Sequence, residues 1–310
     1  MGNTNGSLSI IRNFAVVSAD EATNSGGASP SALLALSGGT LYGTTTAGGS
    51  AANGTIFSLT TNGATFSVLH NFSVLDSQAG TNLDGALSCG GLILSGDKLY
   101  GTASAGGAGG CGVVFSINTN GGNFIMLHSF TPMDTLTATN TDGAMPLGGL
   151  VLSSNALYGT TYAGGSSGHG TIFSIQTNGN GFTVLHHFTS TDPVTTTNTD
   201  GASPSAALLF SSNMLYGTAA GAGAAGTVFS VPIPAPPAVI TNIVQNVDGS
   251  VTLSFLGAPN STNIIQATAS LTPPVMWQNV SANVADANGA WQFTNNNNST
   301  TTRFYRSYAP

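Results

Sequence analysis

Leu157-Tyr158-Gly159-Thr160 decides how this chain is read, because the same four residues recur with their tyrosine at Tyr42, Tyr100, Tyr158 and Tyr216. The intervals 100 − 42, 158 − 100 and 216 − 158 are each 58 residues. Phe14, Phe72, Phe130 and Phe188 keep the same step, and so do Asn62-Gly63, Asn120-Gly121 and Asn178-Gly179. Three unrelated markers at one spacing define a tandem repeat over residues 8 to 231.

Within the third copy, Leu147–Ser153 is an apolar run, Ala156–Tyr162 alternates into a Gly-Gly loop, Gly170–Gln176 is β-branched and aromatic, and Phe182–Phe188 alternates again. Each run has strand length and ends in turn residues, and helical periodicity is absent. Asn178-Gly179 marks a tight hairpin, since both residues tolerate positive φ. One small sheet cannot bury both of its faces, so the units are expected to stack radially as the blades of a four-bladed β-propeller. The fourth unit breaks off at Pro232 without a fourth strand, whereas Leu8–Phe14 aligns with Phe66–Phe72, Phe124–Phe130 and Phe182–Phe188. The N-terminal strand is therefore expected to pair beside Gly226–Val231 and close the ring, removing a free edge. Ala32, Gly90, Gly148 and Ala206 open the first strands, and their small size fits close backbone approach at an axis.

Charge is scarce. Asp, Glu, Lys and Arg make up 5% of the chain and the net charge is −7, against roughly 25% charged residues in ordinary domains. Four basic residues, Arg12, Lys98, Arg303 and Arg306, cannot form a nucleic-acid stripe or a polybasic membrane patch. No apolar stretch is long enough to span a bilayer, and the first residues lack the pattern of a signal peptide. The Thr- and Asn-rich surface fits an extracellular or cell-surface protein read in its mature form. Cys89 and Cys111 are candidates for a disulfide closed through the Gly106–Gly110 loop, with two buried free thiols as the alternative.

Pro232–Pro237 reads as a stiff linker, so the domains are expected at 1–231 and 238–310. The alternating runs Val239–Val244, Ser250–Phe255, Ile264–Thr268, Trp277–Val280, Trp291–Thr294 and Arg303–Tyr308 predict a β-sandwich of immunoglobulin or fibronectin type.

The unit carried by Leu157–Thr161, Gly164-Gly165, Gly170–Ser174, Asn178-Gly179 and Leu185–Phe188 resembles the GloVer tandem repeat. That resemblance implies an exported bacterial β-repeat protein with varied anchoring devices and no assigned activity. The Leu-Tyr strand ending in Gly-Gly is similar, less closely, to kelch blades. Residues 238–310 resemble the C-terminal sandwich modules of exported Verrucomicrobia-type proteins. The chain departs from the repeat where Gly26-Gly27 replaces Asp-Gly and where the Gly221–Gly226 loop is shortened.

Candidate chemistry is sparse. Gly107-x-Gly109-x-x-Gly112 and Gly221-x-Gly223-x-x-Gly226 have the letters of a dinucleotide fingerprint, but a strand rather than a helix follows each. His70, His128 and His186, with Arg12 at the equivalent place, read as satisfied polar groups of the stack rather than ligands. Asn140-x-Asp142-Gly143 and Asn198-x-Asp200-Gly201 resemble half of a calcium loop without its later glutamate, and read as Asx-type turns. Glu21 is the only glutamate, and there is no G-x-S-x-G elbow. These features predict no cofactor, no metal and no enzyme activity. The expected role is binding of a glycan or surface protein through loops, with Tyr162, His169 and Asn53 as contact-ready groups. Self-assembly into a surface layer or fibre is the alternative, and a glycan-active site built across repeats is a third reading.

Overall fold

The computed structural model describes residues 8–20, 22–192, 194–195, 197–221, 226–233, 238–257, 262–286, 289–296 and 303–308. They are all-β, with no helix, and form six small antiparallel sheets. The chain divides into two compact units, Met1–Leu209 with Tyr216–Ser230, and Phe210–Leu215 with Val231–Pro310. Residues 234–237 of the predicted linker lie outside the described residues.

Each complete repeat contains one four-stranded meander, joined in the first repeat by the additional strand Ala28–Pro30. In the third the four strands are Val151–Ser153, Ala156–Thr161, Thr171–Gln176 and Thr183–His187 in sequential order. The Asn-Gly turns form where the sequence places them: the Gly179 amide donates to Gln176 O, and the Asn178 side chain accepts from the Asn180 amide. The central glycine of Leu-Tyr-Gly-Thr makes room inside the repeat. A Cβ on Gly159 would meet the Phe173 ring at 2.7 Å and Leu150 at 2.9 Å.

The first strand is shorter than the predicted Leu147–Ser153, because only Val151–Ser153 joins the ladder. Residues before it approach the equivalent segments of the neighbouring repeats instead. A cavity of about 250 Å³ there is lined by Ala32, Gly90, Gly148 and Ser205, so all four repeats contribute. Side-chain hydroxyls replace the ladder at this point, Thr102 Oγ1 donating to Gly148 O at 3.1 Å and Thr160 Oγ1 to Ala206 O at 3.5 Å. A Cβ on Gly148 would lie 2.6 Å from Ala206 O, which is the close approach that demands the small residue.

The core lies between successive repeats rather than within them. Tyr42 of the first repeat packs with Leu92, Leu99, Val113 and Phe115 of the second, and Tyr100 of the second packs with Leu150, Leu157 and Phe173 of the third. A phenylalanine pair recurs at each junction: Phe72 with Phe115 at 5.7 Å, Phe130 with Phe173 at 5.4 Å and Phe188 with Phe229 at 5.4 Å between ring centroids. Phe14 with Phe57 at 5.2 Å continues the series backwards. Leu8–Phe14 thus occupies the place of a preceding fourth strand against the first repeat.

The expected pairing of Leu8–Phe14 beside Gly226–Val231 is not formed, and the segment carries no strand. The sheet of Leu209–Ser211, Met214–Ala219 and Thr227–Pro232 has three strands among the described residues. Packing on the first repeat joins neighbours in sequence, whereas pairing with Thr227–Pro232 must join the two ends of the array against a larger loop entropy. Val228 is consequently 82% exposed, while its equivalents Ile56, Val114 and Ile172 are fully buried.

The second unit contains two three-stranded sheets, ordered Val239–Gln245, Val251–Leu256, Ala290–Asn295 and Gln278–Val284, Thr262–Thr268, Phe304–Tyr308. Leu253, Phe255 and Trp291 of one share a core with Ile265 of the other. All six strands overlap the runs that alternation marked.

Candidate functional site

The polar groups of the repeats converge at the joints, where a fourth strand passes into the next repeat. His70, His128 and His186 each meet an aspartate fourteen residues on, with Nε2 to Oδ2 distances of 2.8 Å to Asp84, 3.0 Å to Asp142 and 2.8 Å to Asp200. The other oxygen of each carboxylate accepts from the hydroxyl of Ser73, Thr131 or Thr189, and the amide of the same residue also donates to the carboxylate. Each histidine ring lies flat against a phenylalanine where the next repeat supplies one, His70 on Phe124 at 4.1 Å and His128 on Phe182 at 3.7 Å.

This clamp is not a nucleophile triad. The hydroxyl donates its hydrogen bond to the carboxylate and not to the histidine, so the imidazole is not placed as its base. It holds the fourth strand of one repeat to the first turn of the next. The neighbouring asparagine does the same for the Gly-Gly loop: Asn140 Oδ1 accepts from the amides of Gly143 and Gly165, and its Nδ2 donates to Thr131 O and Gly143 O. The Asn-x-Asp-Gly motif therefore has its oxygens engaged within the protein. Among the described residues no group of three His, Cys, Asp or Glu side chains is placed to hold a metal ion.

Burial pushes the Asp142 carboxyl up, but the hydrogen bonds from His128 and Thr131 outweigh it and hold the group below the ordinary carboxylate value. Asp84 and Asp200 are lowered in the same way. A carboxyl with a lower pKa folded than unfolded contributes stability that is complete above about pH 4 and is lost as pH falls through the depressed value. The thermal midpoint is expected to hold down to about pH 5 and then fall, and Asp142→Asn should shrink the fall. A midpoint as acid-sensitive in that variant as in the parent would count against the clamp.

A main-chain stitch reinforces each joint. The amides of Leu87, Met145 and Ser203 donate to the carbonyls of Asn53, Cys111 and His169 at 2.8 to 3.0 Å. The three donors have φ of 57°, 56° and 53°, a left-handed backbone that costs a non-glycine residue about 1 kcal/mol or more. Asn53 and His169 thus occupy one repeated position. The Asn53 side chain is engaged by Ser73 O at 2.6 Å, whereas Tyr162 is exposed. The thiols of Cys89 and Cys111 are free, so the disulfide is not formed. The strand Lys98–Ala103 runs between them; Cys89 Sγ points to Leu147 O at 3.7 Å, and Cys111 joins the core with Tyr100 and Val114. Burial raises both thiol pKa values.

The aspartate and hydroxyl partners of the histidines were not anticipated from sequence. Their signal is the constant fourteen-residue separation in three repeats, together with the joint loss of both groups in the first, where Arg12 and Gly26 stand at the same separation. Gly107-x-Gly109-x-x-Gly112 is a loop leading into the strand Val113–Asn118, as expected. The second glycine motif lies partly outside the described residues.

Among solved structures, the chain is similar at 14% identity to a chain of a nidogen/laminin complex, over 79% of this chain and 75% of that one, with a TM-score of 0.38. It is similar at 12% identity to TolB from Acinetobacter baumannii, over 71% and 49%, with a TM-score of 0.36. A europium-containing methanol dehydrogenase matches at 12% identity over 84% and 52%, with a TM-score of 0.40. The chain thus spans about half the length of the last two. No curated protein matches it. The sequence model of the Gloeobacter/Verrucomicrobia repeat matches residues 3–199 and, overlapping, 137–256, so the chain belongs to the Gloeobacter/Verrucomicrobia repeat family.

Proposed function

We propose that this chain is a non-enzymatic binding module of the cell exterior, built as a four-bladed propeller over 1–231 and a β-sandwich over 238–310. The observation that carries the reading is how the loops between repeats are held. Asp134 Oδ1 accepts from the amides of Leu136 and Thr137, and Asp192 Oδ1 from those of Val194 and Thr195. These Asx turns fix the loops, and their hydrogen bonds hold the aspartates below the ordinary carboxylate value. They also keep Leu136 and Val194 in solvent, 94% and 89% exposed. Fixed loops with apolar tips suit recognition, because little entropy is lost when a partner covers them. Tyr162 adds an exposed aromatic ring suited to a sugar face. A glycan array with the labelled protein is expected to give a defined set of signals that Leu136→Ser with Val194→Ser weakens. No signal from a monodisperse monomer overturns the reading.

In the same proposal, Leu8–Phe14 covers the face of the first repeat through Phe14, as the fourth strand of a preceding repeat would. Tyr216 is 40% exposed and Leu34 50%, while their equivalents at the three internal junctions are all below 10%. These are the two halves of one further junction of the same kind. Deleting residues 1–14 is expected to strip Phe57 and Phe66 of cover and to lower the thermal midpoint, while the edge of Thr227–Pro232 is open with or without them. A truncated protein that melts like the parent would refute a stabilising role for that cover. That same uncovered edge favours the self-assembling reading, which filaments in electron microscopy of the intact chain would support.

A further inference from the structure

The joint preceding the first repeat differs from the other three in one respect. Three joints show how this fold binds a carboxylate: an amide and a hydroxyl from one residue, and a ring nitrogen from the fourth strand, surround Asp84, Asp142 or Asp200. At the equivalent places of the first joint stand Gly26 for the aspartate, Arg12 for the histidine and Ala15 for the hydroxyl residue. The scaffold is otherwise conserved within the chain. Asn24 donates to Ala15 O at 2.8 Å and to Gly27 O at 3.0 Å, and accepts from the amides of Gly27 and Gly49, as Asn82 and Asn140 do in their repeats.

The backbone amide and a side-chain nitrogen donor therefore remain, while the hydroxyl and the acceptor are gone. The Arg12 guanidinium lies 3.8 Å from the centroid of the Phe66 ring, in the stacking position of His70 on Phe124, and faces Gly26, where an added Cβ would be 3.4 Å from Nη2. It makes no ion pair among the described residues, and the Ala15 amide has no acceptor there, whereas the amides of Ser73, Thr131 and Thr189 each donate to an aspartate. Arg12 is exposed. A guanidinium stacked on a ring is a fork suited to a carboxylate, which accepts through two oxygens, and the Ala15 amide stands at the register position whose amide binds the aspartate in the other joints.

We propose that Arg12 and the Ala15 amide, at the joint where Gly26 supplies no carboxylate of its own, bind a carboxylate from a ligand, in the manner in which the other joints bind their own aspartate. The inference rests on the binding-module reading and assigns the ligand's chemical class at this joint. A uronic acid and an acidic side chain of a protein partner share that chemistry.

The test is an acetate titration of the full-length, nitrogen-15-labelled chain at constant ionic strength, with chloride as the balancing anion. The Ala15 amide and the Arg12 Nε–H resonances are expected to shift together and saturate in the millimolar range. Arg12→Gln should weaken the response about tenfold or more. Gly26→Asp should abolish it, because the chain then supplies the carboxylate itself; φ at Gly26 is not in the left-handed region, and three repeats already carry Asp there. Arg303→Gln should leave it unchanged. Glucuronate and N-acetylaspartate amide then separate the two sources by which one binds more tightly than acetate. An Ala15 shift that never saturates, or one that persists in Gly26→Asp, overturns the proposal. If neutral glycans still bind in the array while acetate does not, the carboxylate site fails and the binding-module reading stands; if both fail, so does that reading.

Discussion

Replacing Phe130 by alanine is expected to destabilise the repeat array by about 4 kcal/mol, within the range found when a fully buried aromatic is truncated. Phe130 is completely buried and sits where three rings meet, at 5.4 Å from Phe173 and 5.9 Å from Phe182 of the next repeat and 4.9 Å from its neighbour His128. Removing the ring leaves a cavity between two repeats that the flanking strands cannot close, because the His128 clamp and the Met145 stitch fix their separation on either side. The effect should fall on cooperativity as well. Each repeat contacts its neighbours alone, so weakening one junction allows the array to open there first. Denaturant unfolding followed by Phe and Tyr fluorescence should show a lower midpoint and a broader transition. An unchanged midpoint would mean that the junctions do not hold the array together.

What was legible in the sequence follows from spacing. Leu-Tyr-Gly-Thr at constant intervals located the second strands, the Asn-Gly pairs located the hairpins, and alternation located six strands after residue 238. These features are local, so the residue type itself carries the structural demand. The first strands read longer in sequence than they are, because an apolar run such as Leu147–Leu150 looks the same whether it pairs in a ladder or packs against the neighbouring repeat. The joint chemistry was only half legible. His128 was placed as a satisfied polar group, but its partner was not, since Asp142 had already been absorbed into an Asx turn that Asn140 explains without it. In sequence, Arg12 and Gly26 are two separate departures from the repeat. The geometry makes them one, because an arginine takes the histidine's stacking place and the aspartate opposite disappears with it.

Asp142→Ala carries that logic to its largest energetic consequence. The carboxylate accepts from His128 Nε2, the Thr131 hydroxyl and the Thr131 amide, and its side chain is 8% exposed, so water does not readily replace it. Alanine would leave three donors without their acceptor at a joint that also aligns Phe130 and Phe173. A lost hydrogen bond to a charged group costs about 1.5–3 kcal/mol, and the three share one acceptor and are not additive, so a total of about 3 kcal/mol is expected. Asp142→Asn should cost less, because its Oδ1 can still accept from Thr131. His128→Ala combined with Asp142→Ala should cost less than the two single effects added, since His128→Ala removes a donor that Asp142→Ala alone leaves orphaned. Chemical denaturation of the four proteins supplies the comparison. Strict additivity would show that His128 and Asp142 do not act through each other, and the joint would then owe its stability to the phenylalanine stack alone.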